Sequence, residues 1–204
     1  MNKNIFPVIL FLFLVGITST LAQADSEPQH PYNNPLWGDT SPNLGTLVNY
    51  YKIDKTTIQS IGQDLTDPMD IHPSLFLAKA ASISPMVLFE QRKNGDSWMF
   101  LIRKYNINPV LLYTPLDNAK PPAEFDHAYA QREHLAKDSN YQVKLYDSEV
   151  RDLLGLKFCV EALAIPPQEI FDRMSGDMDL EDTIVESVYN SAGKAVPPSL
   201  QHLH

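Results

Sequence analysis

Three histidines, four aromatic side chains and a run of acids are the residues of this 204-residue chain whose types and spacing could do chemistry. His127 and His134 stand seven apart, so a helix through them carries both on roughly one face. Seven residues rise about 10.5 Å, too far for both imidazoles to reach one zinc ion at about 2 Å. A metal centre would need a further ligand, such as His72 or Asp70, and the plainer expectation is a solvated polar helix. Trp98, Leu101, Ile102 and Tyr105 follow the i, i+3, i+4, i+7 rule, and Phe100 falls off that stripe. Either the helix is buried on both sides, or an apolar face remains for a ligand or a second subunit. If a binding site exists, the expected place is where Trp98, Phe100 and Tyr105 meet the preceding segment around Trp37.

Asp172, Asp177, Asp179, Glu181 and Asp182 could present carboxylate oxygens to calcium, but the spacing fails the EF-hand pattern. Met174 stands where an oxygen ligand belongs and Asp177 where glycine is needed. Acids at a helix start, offsetting the positive end of its dipole, are the simpler reading. No strand, nucleophile elbow and helix order surrounds a serine, and the chain carries no Gly-rich phosphate loop. No cofactor is expected. Cys159, the single cysteine, lies between Phe158 and Val160 and reads as a small buried hydrophobe.

The elements that must position these groups are helices. Gly95, Asp96 and Ser97 precede the Trp98 stripe and supply a glycine stop for one helix and a cap for the next. Upstream, the pattern predicts helices over 73–81 and 85–94, with Pro85 in a first turn where its missing N–H costs nothing. An offset of 82 residues aligns Phe76, Ala80, Ile83, Pro85, Phe89 and Ile102 with Phe158, Ala162, Ile165, Pro167, Phe171 and Ile184. Helices over 148–163, from Pro167 and over 179–192, closed by Gly193, repeat the first plan. Residues 44–61 carry a fainter version, with Ile53 in the turn. A helix is expected over 123–137, and only 109–113 and 141–146 offer short strands or extended connectors.

At the N-terminus, Lys3, the apolar stretch 5–15 and Ala22-Gln23-Ala24 form the pattern of a secretion signal cleaved after Ala24. The apolar run is shorter than the roughly 20 residues a membrane span needs, so no transmembrane anchor is expected after cleavage. Losing Lys3 would leave 15 cations against 25 acids, a net charge of −10. That balance and export argue against nucleic acid, as do Arg92 and Lys93 set against Glu90, and Arg173 against Glu169 and Asp172.

The stretch Ser84-Pro85-Met86-Val87, Gln91-Arg92, Gly95, Ser97-Trp98 and Ile102 resembles a motif of small exported bacterial helical proteins of unknown function. Asp147-Ser148-Glu149-Val150, Leu153, Phe158, Pro167, Glu169-Ile170 and Met174-Ser175-Gly176 resemble the later half of such proteins, and together the two stretches span about 73–192. The resemblance implies a fold and no chemistry. The second copy carries Asp177-Met178-Asp179-Leu180 where the first has Gly-x-Ser-Trp, so any role tied to the tryptophan is absent there.

The resulting expectation is an all-α protein of two tandem, duplicated, helix-turn-helix-like three-helix units with a Pro-rich arm. Residues 1–24 are the signal, 25–43 the irregular arm, 44–115 the first unit, 116–146 a loop and connecting helix, 147–193 the second unit and 194–204 a tail. The arm is either strapped onto the body or faces a ligand. The expected role is non-catalytic, binding an unidentified protein or apolar ligand, or assembling with it, in the periplasm or outside the cell. The alternative is a helical enzyme or metal-dependent protein using His127 and His134.

Overall fold

A computed structural model describes residues 36–38, 40–176, 178–197 and 200. The signal segment, most of the arm and Asp177 lie outside the described residues. Those described form an all-helical protein in which no strand occurs. In chain order the helices are α1 (Pro42–Tyr51), α2 (Lys55–Asp64), α3 (Ile71–Ala81), α4 (Pro85–Lys93), α5 (Trp98–Lys104), α6 (Asp126–Lys137), α7 (Asp147–Ala162), α8 (Pro167–Met174) and α9 (Leu180–Ser191). Short 3-10 turns at Pro68–Asp70, Pro109–Leu112 and Ala123–Phe125 complete them. The stretch weighed as a strand, 109–113, is thus mostly a 3-10 turn. Asn108 caps it by accepting from the Val110 N–H at 3.0 Å, and Pro109 fits its first position.

The helix starts expected at Pro85, Trp98 and Pro167 fall at those residues. Ser97 Oγ accepts from the Phe100 N–H, and Gly95 supplies the positive φ of 96° that ends the preceding helix. The 82-residue offset carries over to the backbone, because Ser82 and Ala164 both sit in the left-handed region, at φ 55° and 56°. Lys52 and Asn106 do so too, at 59° and 51°. Each of the four is followed by isoleucine, an extended residue and a new helix or 3-10 turn.

At three of these corners the isoleucine N–H closes the helix behind it, Ile165 onto the Cys159 carbonyl six residues back at 3.2 Å, and, five residues back, Ile83 onto Ala78 at 3.0 Å and Ile107 onto Ile102 at 2.9 Å. The last two are the six-to-one bond of a Schellman ending, with the isoleucine side chain as its apolar clasp on the core. Non-glycine residues hold left-handed backbone at a cost, whereas glycine takes it freely but loses more entropy on folding. Replacing Ala164 with glycine is therefore expected to raise unfolding free energy by about 0.5–1 kcal/mol, read from urea midpoints at constant slope.

The helix α7 is the spine. Val150, Leu153, Leu154, Leu156, Phe158 and Cys159 are buried, and α7 packs on α3, α5, α8 and α9. Gly155 lets α9 approach, since a Cβ there would stand 2.6 Å from the Met69 methyl and 3.1 Å from a Leu180 methyl. α3 packs on α7, and α1 and α2 close the body against α9, α3 and α4. None of the described helices is long and apolar enough to cross a membrane.

Candidate functional site

Arg92, Trp98 and Asp147 meet in one place, at Asp70. Trp98 is fully buried and gives both of its N–H groups to carboxylates, the indole to Asp70 Oδ1 and the backbone amide to Asp147 Oδ1, each at 2.9 Å. Arg92 spans the same two acids, with Nε 3.3 Å from Asp70 and Nη1 2.6 Å from Asp147. Its guanidinium also lies over the Trp98 ring, 4.9 Å from the centroid. Arg151 adds a second cation, 3.7 Å from Asp70 and paired with Asp67. Burial lifts the Asp70 carboxyl above its usual range, against the opposing pull of the Trp98 hydrogen bond and Arg92.

This closed ring ties the turn before α3, α4, α5 and the first residue of α7 together. Asp70 and Arg92 border an open cleft of about 370 Å³ with Asp64, Thr66, Phe89 and Lys93, but their charges already answer one another. Its chemistry is that of a staple between the units. Asp147 in effect caps α5 from outside, in a position that sequence spacing does not reveal.

The expected aromatic site is dispersed. Trp37 is 4% exposed, with its ring against Gly62, where a Cβ would stand 2.6 to 2.8 Å from three ring atoms. Trp98 is sealed inside, Tyr105 is half-buried and accepts from Gln91, and only Phe100 stands substantially exposed, with the Lys104 ammonium over its ring. Trp37 and Trp98 therefore present no open aromatic face.

The three histidines have different partners. His72 is enclosed against Phe158, with ring centroids 4.7 Å apart, and its Nδ1 is 3.2 Å from the Tyr51 hydroxyl. Burial drives its pKa down to about 3, so the ring is neutral. His134 stacks on Tyr141. His127 Nδ1 lies 2.6 Å from Glu149, a buried carboxylate that also accepts from the Tyr146 N–H. Gln131 Oε1 accepts from Tyr141 and from the Lys144 N–H, which turns the Gln131 amide nitrogen toward His127 Nε2 at 3.3 Å. The proton of His127 therefore sits on Nδ1. Among the described residues no three His, Cys, Asp or Glu side chains are disposed to hold a metal ion. Cys159 is sealed in the core, where burial pushes its thiol up to about 12. Asp179 caps α9, accepting from the Asp182 N–H at 2.8 Å.

A concavity of about 480 Å³ is one that spacing did not point to. It opens between α1, the end of α7 and the end of α9, lined by Thr46, Asn49, Tyr50, Glu161, Leu163 and Ser191. A smaller cleft of about 220 Å³ continues on the far side of Tyr50 and Glu161, bordered by Phe76 and Lys79. Between the two, the Tyr50 hydroxyl donates to Glu161 at 2.5 Å, and Lys157 holds the other carboxylate oxygen at 2.8 Å. Burial alone would raise the Glu161 carboxyl, but the Lys157 and Tyr50 hydrogen bonds outweigh it and keep it below the usual range.

The chain matches no family model, no curated protein and no solved structure.

What the arrangement offers chemically is an oriented, ionised acceptor between two recesses, with hydroxyl, amide and aromatic groups around it. Sequence reasoning missed it because Tyr50 and Glu161 are 111 positions apart. The one local signal was the Tyr50-Tyr51 pair at the end of a helix.

Proposed function

We infer that this is an exported, non-catalytic binding protein whose ligand lies across the paired clefts at Tyr50 and Glu161. The observation that carries the reading is the double cleft itself, because a recess of about 480 Å³ falls within the roughly 300–1,000 Å³ range of small-ligand sites. Its polar groups project from helices anchored in one core, which favours recognition without rearrangement. The carboxylate of Glu161 is held by Tyr50 and Lys157 before any ligand arrives, so it is an acceptor for donors on an incoming molecule. The site differs from the Trp37, Trp98, Phe100 and Tyr105 surface expected from spacing, because the two tryptophans are core residues.

Export rests on Lys3, the apolar run behind it and the Ala22-Gln23-Ala24 ending. The alternative, a metal-dependent or catalytic protein using His127, is favoured by one feature, the buried Glu149 that orients its imidazole.

Native mass spectrometry of the protein purified from its own source tests these readings together. The expected mass begins at Asp25 and includes a non-covalent small molecule, which Tyr50→Ala and Glu161→Ala abolish while His127→Ala retains it. An uncut N-terminus removes the export reading. A bound metal ion lost in His127→Ala, with no adduct sensitive to Tyr50, replaces the binding reading with the metal-dependent one.

A further inference from the structure

The first turn of α9 meets α7 through acids that the clefts do not use. Glu181 stands in that turn with its Oε1 closed off from solvent and offered no hydrogen-bond donor. Asp152, one position after Arg151 on α7, is half-buried. The groups that act on Glu181 are Asp179 and Asp182 from its own helix and Arg151 from α7. Those that act on Asp152 are Arg151 and Glu149 from α7, Glu124 from the 3-10 turn before α6, and Asp179. Arg151 is already engaged by Asp67 and Asp70, which leaves it a weak counter-charge for either acid. From α8, which also packs on α9, Arg173 reaches Ser187 and Glu169, while α1 contributes no charged side chain.

We propose that Glu181 and Asp152 form a proton-dependent latch that holds the start of α9 on α7. With a proton on Glu181 the sealed oxygen belongs to a neutral group, and the junction is apolar enough to pack Leu180 and Ile184 against Gly155. Without it, a carboxylate beside Asp179 and Asp182 keeps one oxygen closed off and without a donor, and a shift of α9 hydrates it. The positive end of the α9 dipole favours the ionised form, but burial and the neighbouring acids oppose it and prevail. Burial first, then Asp179 and Asp182, push Glu181 up to about 7, and burial pushes Asp152 up to about 6. The latch thus holds in mildly acidic solution and releases toward pH 8. Ser191, at the far end of α9, borders the larger cleft, so release would loosen one of its walls. That last consequence rests on the binding reading above, whereas the latch itself does not.

Hydrogen exchange of the purified protein between pH 5.5 and 8, corrected for intrinsic base catalysis, tests the latch without any ligand. Amides of α9 are expected to open about tenfold more at pH 8 than at pH 5.5, while those of α3 show no such rise. Glu181→Gln keeps the shape, carries no charge and should flatten the α9 response, and Asp152→Asn should reduce it. If α9 opening is the same at both pH values in the wild type, or if the two variants keep the full wild-type rise, the latch is wrong. Should Glu181→Gln not fold, Asp152→Asn alone decides, a full rise overturning the latch and a reduced one supporting it. A native mass spectrum with no bound small molecule would leave this result untouched, so the two ideas fail separately.

Discussion

Trp98→Ala is expected to lower the unfolding free energy by about 3–5 kcal/mol, the range for deleting a large buried aromatic. The expectation is stronger here than packing alone implies, because the side chain does three things. Its ring fills the core at zero exposure, its indole N–H satisfies Asp70, and its face carries the Arg92 guanidinium. Trp98→Phe separates them. A phenyl ring keeps much of the apolar volume and a face for Arg92, but Asp70 loses a donor within a site that is 12% exposed, at a cost of about 1–3 kcal/mol. Chemical denaturation of both variants at pH 7 reads the two contributions in turn. A loss under 1 kcal/mol for Trp98→Ala would show that the ring of Asp70, Arg92, Trp98 and Asp147 does not staple the units.

A second large effect concerns pH. The unfolded chain protonates His72 near 6.5, whereas the folded protein resists down to about 3. Its folded value is depressed, so the folded state binds fewer protons between those limits and stability falls as pH drops through that window. The full shift corresponds to an upper bound of about 4–5 kcal/mol. Glu181 and Asp152 act with the opposite sign. Their folded values are raised to about 7 and about 6, so the stability they contribute is complete below their unfolded values and is lost as pH rises through 6 and 7. Both are partly solvated, which discounts them to about 1 kcal/mol each.

Urea unfolding from pH 8 to pH 3 should therefore show a shallow change at first and a steep loss below about 4, where His72 still resists protonation together with the lowered carboxyls of Glu161 and Asp54. In His72→Leu the loss of the Tyr51 partner lowers stability by a constant amount at every pH, while the acid-side fall shrinks by several kcal/mol. An unchanged slope would mean that the buried imidazole does not drive acid unfolding.

How far the sequence carried can be judged on these same residues. Ser97, Pro85, Pro167, Gly95 and Gly193 act on neighbours within one turn, so helix starts and stops were readable from local chemistry. The apolar stripe around Trp98 left two readings open, core or binding face, and packing decided for the core. Which polar groups those helices would bring together was not readable, because Asp70, Arg92, Trp98 and Asp147 come from four elements and their pairings follow from tertiary packing alone. Asp70 and His72 entered the sequence reading as possible metal ligands. In the fold Asp70 is the acceptor of an indole and His72 the hydrogen-bond partner of a phenol, roles that depend on neighbours 28 and 21 positions away. The 3-10 turn at Pro109–Leu112 went unread for a different reason, since a short apolar run after a proline fits an extended connector as well as a single tight turn.

The lone cysteine has a consequence for how this chain ages. Cys159 sits at zero exposure in the middle of the spine helix, with its thiol protonated at any ordinary pH. Oxidants, electrophiles and neighbouring molecules able to exchange sulfur can reach it only while the interior is momentarily open. Damage at that atom is therefore gated by the protein's own breathing.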